Sequence, residues 1–196
     1  MMVYSTLLKT CVLAASVWLT ACASSPQAIQ IAPQFTAPSA RIGNNSPVHV
    51  RVSDQRQNKV LGSRGGTYRE TSVVTLANDL SLAVEKPLAK HMAAMGYDTD
   101  SLRADTADFH VIFESLVYNH PKEDGVGYDM DMLAVVNVMA SRGNERYEGR
   151  YRVKRKQKFF NAPSESHNAE LVNGLVVEVL NSMFEDPKLV GFLRKN

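Results

Sequence analysis

Few side chains in this chain are placed to do chemistry. Both cysteines, Cys11 and Cys22, lie close to the start, so the body of the chain has no disulfide framework and no cysteine zinc site. Cys22 is the more informative of the two, because it directly follows Leu19-Thr20-Ala21 at the end of an apolar run. The five histidines, His49, His91, His110, His120 and His167, show no zinc-protease spacing. Asp129-x-Asp131 lacks the further oxygen ligands of a calcium loop. No G-x-S-x-G elbow or G-x-x-x-x-G-K phosphate loop occurs. No catalytic residue, metal or cofactor is therefore expected. Arg150, Arg152, Lys154, Lys156 and Lys158 alternate, which on a strand sets five cations on one face. Such a stripe is either a landing surface for anionic partners or a solvated sheet face. The net charge of +2 is too small to point to nucleic acid.

Residues 7–19 are apolar apart from Lys9, Thr10 and Ser16. That is shorter than the roughly 20 residues of a spanning helix and fits the core of a secretory signal. Leu19-Thr20-Ala21-Cys22 resembles the bacterial lipobox, in which the thiol is diacylated and the bond before it is cut. Small side chains suit a protease site in the bilayer, and the thiol is the nucleophile that accepts the lipid. Two or three acyl chains, at about 0.8 kcal/mol per buried CH₂, hold a protein on a membrane essentially permanently. The sorting rule that accompanies the resemblance retains proteins with Asp after the cysteine in the inner membrane. Ala23 implies transport to the outer membrane, facing the periplasm.

The elements that follow are legible from periodicity. Residues 1–21 form the signal, and residues 22–47, with Pro26, Pro33, Pro38 and Pro47, form a flexible tether. The 25 residues after Cys22 would reach roughly 80 Å when stretched. Inside the tether, Ile29 and Ile31 alternate in the pattern of a short edge strand. A single domain is expected over 48–196. Val48, Val50 and Val52 open it as a half-buried strand, followed by a polar glycine-containing loop and a short strand at 72–76. Asn78 is placed to cap a helix over 79–95 that buries Leu80, Val84, Leu88, Met92 and Met95, with Gly96 ending it and Pro87 kinking it. Strands are predicted over 108–118, 128–140 and 145–160. The last two join at "SRGN" as a hairpin. With Arg142-Gly143 as turn residues, Asp131 faces Lys154, Asp129 faces Lys156, Met132 faces Val153 and Ala134 faces Tyr151. Ser164 or Ser166 caps a second long helix to about residue 184, burying Leu171, Leu175, Val179 and Met183. Asp186-Pro187 opens a short last helix carrying Leu189, Val190 and Leu193. The order strand-helix-strand-strand-strand-helix predicts an α+β fold, a largely antiparallel sheet with two long helices on one face.

The stretches "VHVRVSDQR", "VLGSRGG", "LANDLSLAVEKPLAKHMAAMGY" and "ADFHVIFESL" together resemble the YajG-like lipoproteins of gamma-proteobacteria, most tellingly at Asp54-Gln55-Arg56 and Gly96-Tyr97. Pro87 departs from that pattern. The resemblance implies an outer-membrane lipoprotein with a periplasmic domain and carries over no catalytic residues.

The expected function is non-enzymatic: a binding or scaffolding module, held on the membrane by acyl chains on Cys22, that engages an envelope protein or polymer. The alternatives are an accessory subunit of an envelope machine (a peptidoglycan synthase, transporter or flagellar assembly) and, third, an envelope hydrolase gathering a carboxylate with His49 or His110. The candidate contacts are Asp54, Gln55, Arg56 and Arg64 in the loop, and Arg150, Arg152, Lys154, Lys156 and Lys158 on the strand. Cys22→Ser is expected to leave the protein soluble or as an uncut precursor. Membrane fractionation checks this, and firm retention in the outer membrane would contradict it.

Overall fold

The alternating Val48, Val50 and Val52 form strand β2 (Val48–Asp54), with all three side chains buried. It lies parallel to β5 (Ala107–Asn119), which pairs antiparallel with β6 (Tyr128–Arg142), and β6 with β7 (Glu145–Phe159). A second, three-stranded sheet has the order β1 (Gln27–Ile29), β4 (Val73–Leu76), β3 (Gly62–Ser63). The helices are α1 (Leu80–Ala94), α2 (Glu165–Met183) and α3 (Pro187–Arg194). The fold is α+β with mostly antiparallel sheets, and the element order is that predicted, including the short strands at Ile29 and at 73–76, with β3 added before α1. This computed structural model describes residues 26–65, 70–121 and 127–194.

The core lies between the long sheet and the helices. Phe109, Val111 and Phe113 from β5 and Met132, Ala134, Val136 and Val138 from β6 meet Leu80, Val84, Leu88 and Met92 of α1 and Leu175, Val179 and Met183 of α2 in one buried cluster. Leu171 is only partly buried, while Val172 and Val176 are fully buried. Helix α1 runs over its whole length through Pro87, which is half-buried. Its cap is Asp79, whose Oδ1 accepts from Leu82 N at 2.9 Å. Asn78, expected as the cap, has a different task.

Residues 26–47 correct the predicted tether. Ile29 and Ile31 are 1% and 2% exposed, and β1 pairs parallel with β4. The Asn78 side chain clasps Ile31, accepting from its N–H at 2.8 Å and donating to its carbonyl at 2.9 Å. Asn173 of α2 accepts from Ala32 N at 2.8 Å and donates to Gln30 O at 3.0 Å. Farther along, Phe35 stacks on His91 of α1 with ring centroids 4.5 Å apart. The prolines therefore mark an irregular strap bound across the helices, and the folded body begins near Gln27.

The hairpin register also differs from the predicted one, by two residues. Asp131 faces Lys156, Asp129 faces Lys158, Ala134 faces Val153 and Met132 faces Arg155. The turn residues are Gly143-Asn144, with Gly143 at φ +56. A tight hairpin needs positive φ at its first central position, where glycine fits without strain and Arg142 would not.

A register shift at Glu114 lets β5 serve two neighbours. Before it, β5 pairs with β2. Beyond it, Tyr118 and His120 donate their N–H groups to Leu61 O and Ser63 O at 2.9 and 3.1 Å, which joins the two sheets. Ile29→Ala is expected to cost about 2–4 kcal/mol in urea unfolding and to speed proteolysis between residues 26 and 40, since it opens a cavity under the strap.

Candidate functional site

The Asp54 loop leaves the sheet where β2 ends. Arg56 Nε and Nη2 donate to the two Asp54 carboxylate oxygens at 2.8 and 2.9 Å, and its backbone N–H donates to Oδ1 at 3.1 Å. Lys59 Nζ lies 3.0 Å from Oδ2. Burial works against the Asp54 charge, but hydrogen bonds from Arg56 and Lys59 overcome it and hold the carboxyl at about 2, below its ordinary 3.8. The Arg56 side chain is 3% exposed, and its Nη1 is buried without a hydrogen bond among the described residues. Arg56 is thus not displayed to a partner as expected. It folds back to pin the loop, because a bidentate pair with a half-enclosed carboxylate is stronger than solvation. Gln55 remains exposed beside it. Arg64, the other arginine expected to meet a partner, is largely covered and pairs with Glu165 of α2 at 3.0 Å. Between the loop and the outer side of β5 runs a groove of about 700 Å³, lined among others by Gln55, Asn58, Val60, Glu114, Val117 and Asn119.

The basic strand lies on the sheet face opposite the helices. Arg150 donates to Glu114 at 2.7 Å, and Lys156 lies 3.4 Å from Asp131. Arg152 faces Val135, Lys154 faces Leu133 and Lys158 faces Asp129 across the ladder. Arg152, Lys154 and Lys158 have no ion pair among the described residues, and all five cations are exposed. Apolar side chains share this face: Ile112 and Val135 are buried, and Met139 is 44% exposed. Toward β2 the face carries Arg51, whose guanidinium pairs with Asp108, and His49, 3.5 Å from the same carboxylate.

A hollow of about 350 Å³ beside Arg51, Asp108, His110, Ser141 and Glu148 is the place to examine for hydrolase geometry. Ser53 Oγ stands 2.9 Å from His110 Nε2, a spacing that suits a nucleophile and its base. Asp108, however, is turned to Arg51 and His49, and Ser53 is not part of the lining. Burial, then the Arg51 charge, push the His110 pKa down. No carboxylate hydrogen-bonds to the His110 ring among the described residues, so the base would lack an orienting partner.

Two polar clusters were not read from the sequence. Tyr118 donates its hydroxyl to Asn168 Oδ1, Asn168 donates to Gln27 Oε1 at 2.7 Å, and Gln27 donates to Glu165 O at 2.7 Å. This buried chain ties β5, α2 and β1 together. On β7, the Tyr147 and Tyr151 hydroxyls lie 2.6 Å apart and both donate to Asp186 Oδ2, at 2.7 and 3.0 Å, fastening the start of α3. Gly149 sits between them because a Cβ there would lie 2.4 Å from the Tyr147 hydroxyl. Burial pushes both phenols up, and the hydrogen bond from Tyr147 holds Asp186 below its usual range. A polar residue inside an apolar stripe, as Asn168 is among Val172 and Leu175, was the available signal.

Among the described residues, no group of three or more His, Cys, Asp and Glu is placed to hold a metal ion. No described helix is long and apolar enough to cross a membrane. Cys22 and the signal lie outside the described residues.

A family model described as uncharacterized lipoprotein matches residues 33–194. The chain belongs to that family. A comparison with curated proteins finds no match. Among solved structures, protein XCC0632 from Xanthomonas campestris superposes with a TM-score of 0.53 at 9% identity, covering 85% of this chain and 95% of that one. The likeness shows a shared fold. A structure titled only as an uncharacterized protein matches at TM-score 0.48 and 12% identity, over 81% of this chain and 99% of that one. The rare lipoprotein B of Shewanella oneidensis matches at TM-score 0.39 and 12% identity, over 70% of this chain and 91% of its own.

The depressed Asp54 pKa sets an acid limb of stability. Its contribution, about 2 kcal/mol, is fully present above the unfolded value near 4 and is lost as pH falls through about 2. Urea titrations between pH 6 and pH 2 should show this loss. Asp54→Asn should start lower by a similar amount and show a flatter acid limb.

Proposed function

We propose that this protein is a YajG-like lipoprotein, acylated at Cys22 and held in the outer membrane, whose periplasmic domain works without catalysis as a binding or scaffolding module. The observation that carries the proposal is the long sheet's outer face. Its inner face is filled by helices, while the outer one presents Arg150, Arg152 and Lys154 along edge strand β7, with the half-exposed Met139 on neighbouring β6. A cationic edge with an exposed apolar side chain beside it fits an acidic protein or an anionic envelope polymer. The groove beside the Asp54 loop opens on the same side, through Glu114 and Val117, and extends the available area. The polar clusters described above are occupied in holding elements together, which supports a non-enzymatic role.

Photo-crosslinkers placed in cells at Arg152 and Asn58, with mass spectrometry of the adducts, test the proposal. One recurring adduct, protein or polymer, is expected. Arg152→Glu with Lys154→Glu should reduce that adduct several-fold and leave urea unfolding unchanged, because both side chains are exposed and without ion pairs among the described residues. Unchanged adducts would reduce the stripe to a solvated face. Co-purification of a multisubunit machine would favour an accessory-subunit role.

A further inference from the structure

The seating of the strap fixes which end of the domain meets the membrane. Gln27 is held at the first turn of α2, by Glu165 O and the Asn168 side chain. Residues 27–32 then run alongside α2 in its own direction, reaching Asn173 at Ala32. Pro26, the first described residue, therefore lies at the N-terminal end of α2. Only five peptide units separate Gln27 from Cys22, which covalent geometry limits to about 17 Å.

The end of the molecule at that point has a composition suited to a lipid surface. Phe159 meets His167, in the first turn of α2, edge-on with ring centroids 5.5 Å apart. The next residue, Phe160, is 97% exposed, the most exposed large apolar side chain among the described residues. Lys158 and Lys156 precede it on the outer face of β7. Arg150, eight residues back along the strand, lies roughly 26 Å from Lys158. That is well beyond the screening length of about 8–10 Å at physiological salt. The two ends of the stripe therefore act on separate surroundings, and Lys156 and Lys158 belong to the end near the first turn of α2.

We infer that Phe160, Lys156 and Lys158 form a lipid-contacting edge: Phe160 enters the interface and the two lysines meet anionic headgroups, so that β7 points away from the membrane. The inference rests on acylation of Cys22. Asp129 and Asp131 face the two lysines across the ladder and weaken their field, so the contact orients the domain while the acyl chains anchor it. A weak contact suffices because the short covalent link keeps the edge at high effective concentration near the bilayer.

The chain's one tryptophan, Trp18, precedes Cys22 and is removed if the signal is cut, which leaves a dark background for a reporter. The acylated mature protein carrying Phe160→Trp would be reconstituted into vesicles of phosphatidylcholine with phosphatidylglycerol, containing brominated acyl chains. Lipid on Cys22 would be read by mass spectrometry of the same sample. The substituted indole should be quenched about twofold or more, and Lys156→Gln with Lys158→Gln should reduce that quenching. Leu102→Trp, exposed in the loop leading into β5 at the opposite end of the sheet, should stay unquenched. An unquenched indole at position 160 in a lipidated sample overturns this inference alone, as does equal quenching at position 102 or on vesicles of phosphatidylcholine only. Absence of lipid at Cys22 overturns the anchor and the inference together.

Discussion

The rest of the structure depends on how the polar backbone of residues 27–32 is satisfied. A segment lying across two helices finds only part of its hydrogen bonding in a sheet, and each buried group left unpaired would cost about 1–3 kcal/mol. Asn78 and Asn173 supply the missing partners from either side, and the Gln27–Asn168–Tyr118 chain carries the network into the core. Ile29 and Ile31 can then be buried, and α1, α2, β4 and β5 are locked in one arrangement. The same network seats Gln27 at the first turn of α2, at the start of the folded body.

The long sheet divides its two faces between stability and display. Alternation on β6, and on β5 either side of the shift at Glu114, sends most large apolar side chains to the helices and leaves ions and a few apolar residues outside. The irregularity at Glu114 lets one long strand bond β2 with its first half and residues 61–63 with its second. The chain must cross between those two neighbours in the Asp54 loop. That crossing explains why Arg56 turns inward: the pair with Asp54 closes the end of β2 where no ladder continues.

Periodicity made much of this fold legible. The α1 stripe, the β2 alternation and the β6–β7 hairpin follow from local pattern. The hairpin register slipped by two because side-chain direction repeats every two residues, so either pairing satisfies both faces. Only the stereochemistry at Gly143 discriminates between them. Asn78 was misread because Asn and Asp cap helices almost equally well, and Asp79 stands next to it. The candidate surface was half legible: the stripe was visible as alternating charge, but Arg56 and Arg64 were drawn into ion pairs with Asp54 and Glu165.

By itself the sequence determined the lipoprotein class, the α+β elements and the cationic stripe, since each is written in a continuous stretch whose local order suffices. The tertiary structure alone decided that residues 26–47 are a bound strap, that Arg56 is buried and that Arg64 is drawn to Glu165. Those outcomes rest on contacts across long separations, from Gln27 to Asn168 or from Ile31 to Asn78, which no local window contains.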